Sequence, residues 1–184
     1  MKPALLGWPD DGVTLRLDHR RFSYAGKFVM SNTGKAVLGD PGDGADGEKA
    51  EIVAAVAFDE DRTAPDVLRL RYVTVRDDHR GGGLGPRLCR FVADRATERG
   101  YDRLRIAVNN PFAYEALYRA GFAYVGEETG LAELLLERPA GEPASDRSRT
   151  TYQAGLDVYR DRELSGDEEA FLSRKRGRAP PATG

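Results

Sequence analysis

The chain is poor in the residues that announce covalent or metal chemistry. Its 184 residues include one cysteine, Cys89, which excludes an internal disulfide and fits a reducing compartment. Only His19 and His79 stand beside it, too few ligands for a zinc cluster, so no metal is expected. No apolar run approaches the roughly 20 residues that span a bilayer. The opening MKPALLGWPDDG lacks the apolar core of a secretion signal. A cytoplasmic protein without a membrane partner is the expectation. Neither sign of charge dominates: the net charge is −2 with acids and bases interspersed, which argues against wholesale nucleic-acid binding. What is present, 40% hydrophobic residues over this length, suits one compact α/β domain with an additional segment.

The stretch that organises the rest is Val67 to Gly85, VLRLRYVTVRDDHRGGGLG. Leu68, Leu70, Tyr72, Val73 and Val75 supply the apolar, β-branched pattern of a strand. A polar turn follows, then Arg80-Gly81-Gly82-Gly83-Leu84-Gly85, and Pro86 is read as the first residue of a helix running to about Glu98. Glycines ahead of a helix remove the Cβ atoms that would hold a ligand away from free amides. The positive end of the helix dipole favours an anion there. Strand, glycine turn and helix together make a phosphate cradle. It is not a Walker loop, which would end Gly-Lys-Ser/Thr, nor the dinucleotide fingerprint, whose last glycine falls on Pro86 or Leu88.

Along the chain, Val13–Leu17 alternates and reads as the first strand; Phe22–Met30 and Lys35–Leu38 also read as extended, with a turn at Ser31–Gly34. Residues 39–49, GDPGDGADGEK, form a Gly/Asp-rich loop between antiparallel strands. A calcium loop through Asp40, Asp43 and Asp46 has the wrong spacing and no downstream glutamate. Ile52–Phe58 is a buried strand. After the helix, Tyr101–Val108 alternates as a strand, so strand, helix and strand form a right-handed βαβ unit with parallel strands. Asn110 caps a second helix, Pro111–Ala120, which Gly121 ends. Phe122–Val125 and Leu131–Leu136 are two further strands. The fold class is α/β (α+β): a mixed, mostly antiparallel twisted sheet of about six to seven strands with one central parallel βαβ unit, and a helical extension after it.

Two motifs carry a resemblance to a known family. Arg80 through Gly85 has the form R-x-x-G-x-G after a strand. Asn109-Asn110-Pro111-Phe112-Ala113-Tyr114-Glu115-Ala116-Leu117-Tyr118-Arg119-Ala120-Gly121-Phe122 ends a strand on asparagine, places Leu-Tyr late in a short helix and closes on Gly-Phe. In this order and framing they resemble the GNAT N-acetyltransferase family over about Ile52–Arg138. The resemblance implies a GNAT-like domain over 1–138, acetyl-CoA as co-substrate, no metal, and direct acetyl transfer to the primary amine of a small molecule or protein. It implies that main-chain groups of Val73, Thr74 and Val75 pair with the pantetheine arm like an added strand. The turn of Gly81, Gly82, Gly83, Leu84, Gly85 and Pro86 would hold the pyrophosphate, with Arg80 adding charge and Pro86 giving no N–H. An N–H near Val75 would stabilise the oxyanion by on the order of 3 kcal/mol. Asn110 would contact pantetheine, and Tyr118 would protonate the leaving thiolate as the catalytic acid.

Departures from the family pattern accompany these matches. The two helices usual between the first two strands are missing, since Val13–Leu38 reads as extended, so substrate class does not carry over. Asn110 stands eight residues before Tyr118, where many members place it seven before. The strand Arg105-Ile106-Ala107-Val108 lacks the glutamate that protein-acetylating members often use as a base. Asp77, Asp78, His79, Glu127, Glu128 and Glu133 are the nearby titratable groups, and none declares itself the base. Residues 139–184 read as an extension: a Pro/Gly/Ser linker, then two short amphipathic helices. Tyr152, Leu156 and Tyr159 mark the first, and the Ser165/Glu168 capping box opens the second. They would dock on the domain or a partner. The basic tip, SRKRGRAPP, reads as a solvated, disorder-prone end rather than a nucleic-acid arm. A homodimer is left open. Beside the enzyme stand two other readings: a non-catalytic acyl-CoA-binding module of GNAT type, and an interaction protein whose glycines form only a turn.

Overall fold

The strand–helix–strand unit read from Val67 onward forms the centre of the molecule. In the computed structural model, which describes residues 1–42 and 51–184, β4 is Val67–Val75, α1 is Leu84–Arg99 and β5 is Arg103–Val108. β4 and β5 pair in parallel. The described residues form one sheet of seven strands. Strands β1 (Pro3–Gly7), β2 (Gly34–Asp40) and β3 (Glu51–Glu60) lie antiparallel on one side of β4; β7 (Leu134–Pro139) and then β6 (Ala123–Glu128) lie antiparallel beyond β5. Among these residues no helix is long and apolar enough to cross a membrane.

Four helices cover one face: α1, α2 (Pro111–Arg119), α3 (Arg149–Arg160) and α4 (Gly166–Arg174). Their apolar sides meet Leu38, Phe58, Leu68, Leu104 and Leu136 of the sheet in the main core. Tyr152, Leu156 and Tyr159 of α3 and Phe171 and Leu172 of α4 belong to that same cluster, so the extension docks on its own sheet. Ser148 and Ser165 cap α3 and α4, the latter in the capping box with Glu168. The basic tip is held too: Gln153 Nε2 donates to the Lys175 and Arg178 carbonyls at 2.7 and 2.8 Å, and Arg147 donates to Pro181 O at 2.8 Å.

The first strand is Pro3–Gly7, not Val13–Leu17. PALLG lacks β-branched residues and carries a proline, yet an edge position tolerates both. Val13–Leu17 is irregular, and its alternation serves packing alone: Leu15 and Leu17 lie against a second cluster of Phe22, Phe28, Val37, Ile52, Ala55 and Ala57 on the other sheet face. Phe22–Met30 is not extended; a 3-10 turn occupies Ala25–Val29, and the spacing of Phe22, Ala25 and Phe28 matches that period of three. This segment, lacking helices, is tied by a lysine. Lys35 is fully buried, and its Nζ donates to the carbonyls of Val13, Met30 and Thr33 at 2.6, 2.6 and 2.8 Å and to Thr33 Oγ1 at 2.9 Å.

Other boundaries shift. Helix α1 starts at Leu84, so Pro86 is its third residue rather than its first, still inside the turn whose N–H groups lack helical partners. β7 begins at Leu134 rather than Leu131, because residues 129–133 form a turn with Ala132 at φ 61°. Asp43 and Asp46 of the calcium-loop reading lie outside the described residues.

Candidate active site

The site begins with one extra residue. On β3, Ala57 faces Tyr72 and the next residue, Phe58, faces Leu70, which leaves Arg71 as a bulge in β4. A bulge bends its strand and sharpens the local twist. The pairing of β4 with β5 ends at Leu70–Ile106, while β5 continues along β7 through Val108–Leu134. Beyond the bulge the two parallel strands diverge, and a cleft of about 830 Å³ opens between them.

Val73, Thr74 and Val75 form the β4 wall of this cleft, and Ala107 to Asn110 form the opposing wall. At its mouth lie Arg80, Gly81, Gly83, Leu84, Gly85 and Pro86. Gly81 and Gly83 take φ values of 83° and 77°, which only glycine adopts without strain. A Cβ at either would meet nothing within 4 Å, so the space in front of the turn is free. Gly83 is the N-cap of α1, and no side chain caps that end. The leading amides of α1 therefore face an open mouth with the dipole's positive end behind them, the arrangement that seats a diphosphate. Gly82 is outside the cleft lining. Arg80 is shared between Asp77, at 2.8 Å, and Ser23 Oγ, at 2.9 Å, and so ties the turn to the irregular N-terminal segment. His79 lies at the rim with Nδ1 2.9 Å from Asp78 Oδ1 and 3.1 Å from Arg76 Nη2. That imidazole and the Arg76 guanidinium hold the Asp78 carboxyl well below the usual carboxylate range.

Asn110 caps α2 as the spacing implied, with Oδ1 accepting from Ala113 N at 2.8 Å, and it lines the cleft. Tyr118 does not. It is fully buried, its hydroxyl accepts from the Tyr124 N–H at 3.0 Å, and it is absent from the lining. Leu117 lines the cleft instead, and the extra residue between Asn110 and Tyr118 explains the exchange. One residue is about 100° around a helix, enough to turn Tyr118 from the cleft toward β6 and α3. There its ring centroid lies 4.9 Å from those of Tyr114 and Tyr152, and the Arg147 guanidinium sits 5.2 Å above it. Burial raises its pKa above the ordinary phenol value. The structure thus keeps this phenol out of the cleft.

The extension contributes what sequence reasoning did not foresee. Phe171 of α4 lines the cleft and packs on Phe112 with centroids 5.0 Å apart. Glu115, buried in the cleft wall, accepts from Lys175 Nζ at 3.0 Å and from the Tyr152 hydroxyl. Tyr24, Tyr72 and Glu133 also line the cleft. The apolar spacing of α4 marks Phe171 as inward-facing, but no local pattern tells which surface it reaches. A smaller cavity of about 300 Å³ near Trp8 and Tyr101 lies at the other end of β4, away from the glycine turn.

A family model, the acetyltransferase (GNAT) family, matches residues 13–122. No curated protein matches the chain. Among solved structures, the chain is similar to a nourseothricin acetyltransferase at 24% identity and TM-score 0.47, covering 59% of this chain and 65% of that one. It is similar to the ribosomal-protein-S18-alanine N-acetyltransferase of Escherichia coli at 18% identity and TM-score 0.44, covering 62% and 73%. It is also similar to a GNAT superfamily phosphinothricin acetyltransferase from Sinorhizobium meliloti in complex with AcCoA, at 15% identity and TM-score 0.48, covering 62% and 67%.

Proposed function

The chain belongs to the acetyltransferase (GNAT) family, and from that premise we propose that it moves the acetyl group of acetyl-CoA directly onto a primary amine. The observation that carries this reading is the divergence of β4 from β5 past Leu70–Ile106, with the bare N-terminus of α1 at the mouth of the gap. A long, narrow ligand ending in a diphosphate fits that shape. Gly81, Gly83, Leu84 and Gly85 hold the diphosphate through main-chain amides and the helix dipole. Val73 to Val75, without partners from β5, offer main-chain groups to the pantetheine arm, and Asn110 faces them from the other wall.

When bound, acetyl-CoA supplies an acyl carbon already activated as a thioester. The chain's own residues hold that carbon in the gap and present an N–H near Val75 to the carbonyl oxygen. Because Tyr118 is turned away, the thiolate takes its proton from water in the open cleft. Binding should appear as a rise in melting temperature with acetyl-CoA; a ligand at a hundred times its dissociation constant stabilises by about 2.7 kcal/mol. Thiol release in the presence of an amine then tests transfer.

The buried hydroxyl of Tyr118 favours one other reading, a non-catalytic acyl-CoA-binding module. It predicts the same stabilisation without thiol release across a broad panel of amines. Stabilisation by neither acetyl-CoA nor CoA would overturn both readings.

A further inference from the structure

The sheet face opposite α1 and α2 carries groups that the coenzyme seat does not use. Ile106, Val108 and Leu134 point into the helix-covered core. Alternation along β5 therefore sends Ala107 to the opposite face, and Glu133 is the turn residue that leads into Leu134. Tyr72 belongs to the cluster on that same opposite face. Tyr72 on β4 and Ala107 on β5 thus share one sheet face at the end where β4 and β5 separate, and Glu133 stands in the turn just ahead of β7, the neighbour of β5. All three line the cleft. Two paired-strand spacings would set Tyr72 and Glu133 about 10 Å apart, and the divergence of β4 from β5 past Leu70–Ile106 widens that gap, with the small Ala107 side chain between them. That leaves a groove with room for a flat ring over Ala107.

Three further observations concern this groove. Tyr24 covers Tyr72 with ring centroids 5.6 Å apart, and it does so from a left-handed backbone at φ 61°, which a tyrosine rarely adopts. Thr74, on the same strand face as Tyr72, is 4% exposed and lines the cleft, yet its Oγ1 has no hydrogen-bond partner. Of the two carboxylates in the lining, Glu115 is engaged by Lys175 and Tyr152. Among the described residues Glu133 receives one side-chain bond, from Thr129 Oγ1 to Oε1 at 3.2 Å, and none of them donates to Oε2. The cations beside this groove are Arg71, paired with Asp59 at 2.9 Å, Lys27, whose Nζ lies 5.9 Å from the Tyr72 ring centroid, and Arg162, which donates to Ala132 O at 2.6 Å.

We infer that this groove is the acceptor site, that it takes a primary amine carried on a flat aromatic body, and that Glu133 receives the amine's proton. The inference rests on the acetyl-transfer reading given above. The ammonium gives one proton to the Glu133 carboxylate, and the freed nitrogen lone pair forms the C–N bond as the C–S bond breaks. The second nitrogen proton balances the departing thiolate through water, so the products are the acetamide, the free thiol and one proton that Glu133 passes to solvent. The contacting rings of Tyr24 and Tyr72 form the aromatic wall against which the ligand ring packs, and Thr74 Oγ1 meets a polar substituent at its far edge.

Tyramine is the probe, with 1,4-diaminobutane as the aliphatic contrast. Without coenzyme, tyramine should raise the melting temperature of the wild-type chain, and diaminobutane should do so less. Glu133→Gln should weaken the tyramine effect by at least about tenfold in concentration. With acetyl-CoA, it should lower kcat for thiol release on the order of 100-fold. Stabilisation of Glu133→Gln by acetyl-CoA alone should match wild type, which shows that the variant is folded and the coenzyme seat intact. The inference is overturned if Glu133→Gln binds and acetylates tyramine like wild type, if diaminobutane is preferred, or if tyramine neither binds nor reacts while acetyl-CoA still stabilises the chain. Failure of acetyl-CoA to stabilise the wild-type chain would sink the underlying reading instead.

Discussion

The two helices beside the cleft meet it in opposite ways. At α1 the approach is stripped of side chains: Gly81 and Gly83 hold left-handed conformations and face open space, and the helix end has no side-chain cap. At α2 the side away from the cleft is filled by a cluster of tyrosines, Tyr114 and Tyr118 from α2 with Tyr152 and Tyr159 from α3. Each buried hydroxyl there has a partner: Tyr114 donates to Tyr152 O at 2.9 Å, Tyr159 to Val108 O at 3.1 Å, and Tyr152 to Glu115. One wall is a main-chain surface clear of side chains. The other is a rigid block that fixes the ends of β5 and α2, and half of it comes from the extension. A cleft between diverging strands needs both, because strands without mutual hydrogen bonds are held apart only by what packs behind them.

The largest effects should come from closing the bare side. Gly83→Glu places a carboxylate in the phosphate seat and a side chain on a φ of 77°, so thermal stabilisation by acetyl-CoA should vanish. If that stabilisation persists, the glycine turn is not the seat. The packed side breaks differently. A Cβ on Gly155 of α3 would collide with the Tyr114 hydroxyl and the ring edge that carries it, so Gly155→Ala should destabilise the chain by about 1–3 kcal/mol while any acetyl-CoA shift survives. Chemical denaturation measures the first quantity and thermal shift the second. Together the variants separate seat from support.

The same contrast explains what was legible in the sequence. The glycine turn, β4, β5, α2 with its Asn110 cap, and both helices of the extension follow local rules of alternation, capping and helical spacing, and each is found close to where those rules put it. Pro3–Gly7 escaped because an edge strand needs only a neighbour, β2, and that partnership is not local. Phe22–Val29 escaped because its period of three is short enough to pass for alternation. Tyr118 was assigned by its neighbours in sequence, yet its direction depends on the register of one helix, which a single residue relative to Asn110 changes by about 100°. The bulge at Arg71 has no composition signal at all, although it opens the cleft. Glu133 is the loop acid its sequence suggests, but the pairing of Val108 with Leu134, which no local pattern shows, is what brings that loop to the end of β5.

A milder test leaves the covalent structure alone. Burial, first among the causes, raises the pKa values of Tyr114, Tyr152 and Tyr159 well above the ordinary phenol value near 10. Their folded pKa values exceed their unfolded ones, so the folded chain keeps protons that the unfolded chain loses. The stability they contribute is complete below about pH 10 and declines as pH rises beyond it. Melting temperature should therefore be insensitive to these groups from pH 8 to 9.5 and fall above pH 10. A melting temperature that stays flat to pH 11 would show the cluster to be looser than its hydrogen bonds indicate.

The smallest expected effect is also the one that bears most on mechanism. Tyr118→Phe removes the acceptor of the Tyr124 N–H in a buried setting, which should cost about 1–2 kcal/mol of stability. If the hydroxyl is only a structural acceptor, kcat for thiol release should fall by less than about threefold, since no proton reaches the cleft from it. A positioned acid would be worth about 100-fold or more. Measuring both quantities on one variant decides between the roles. Loss of stability with turnover preserved leaves Tyr118 in the block behind α2; loss of turnover with stability preserved means that α2 rotates on binding coenzyme and brings the phenol round to the thiolate.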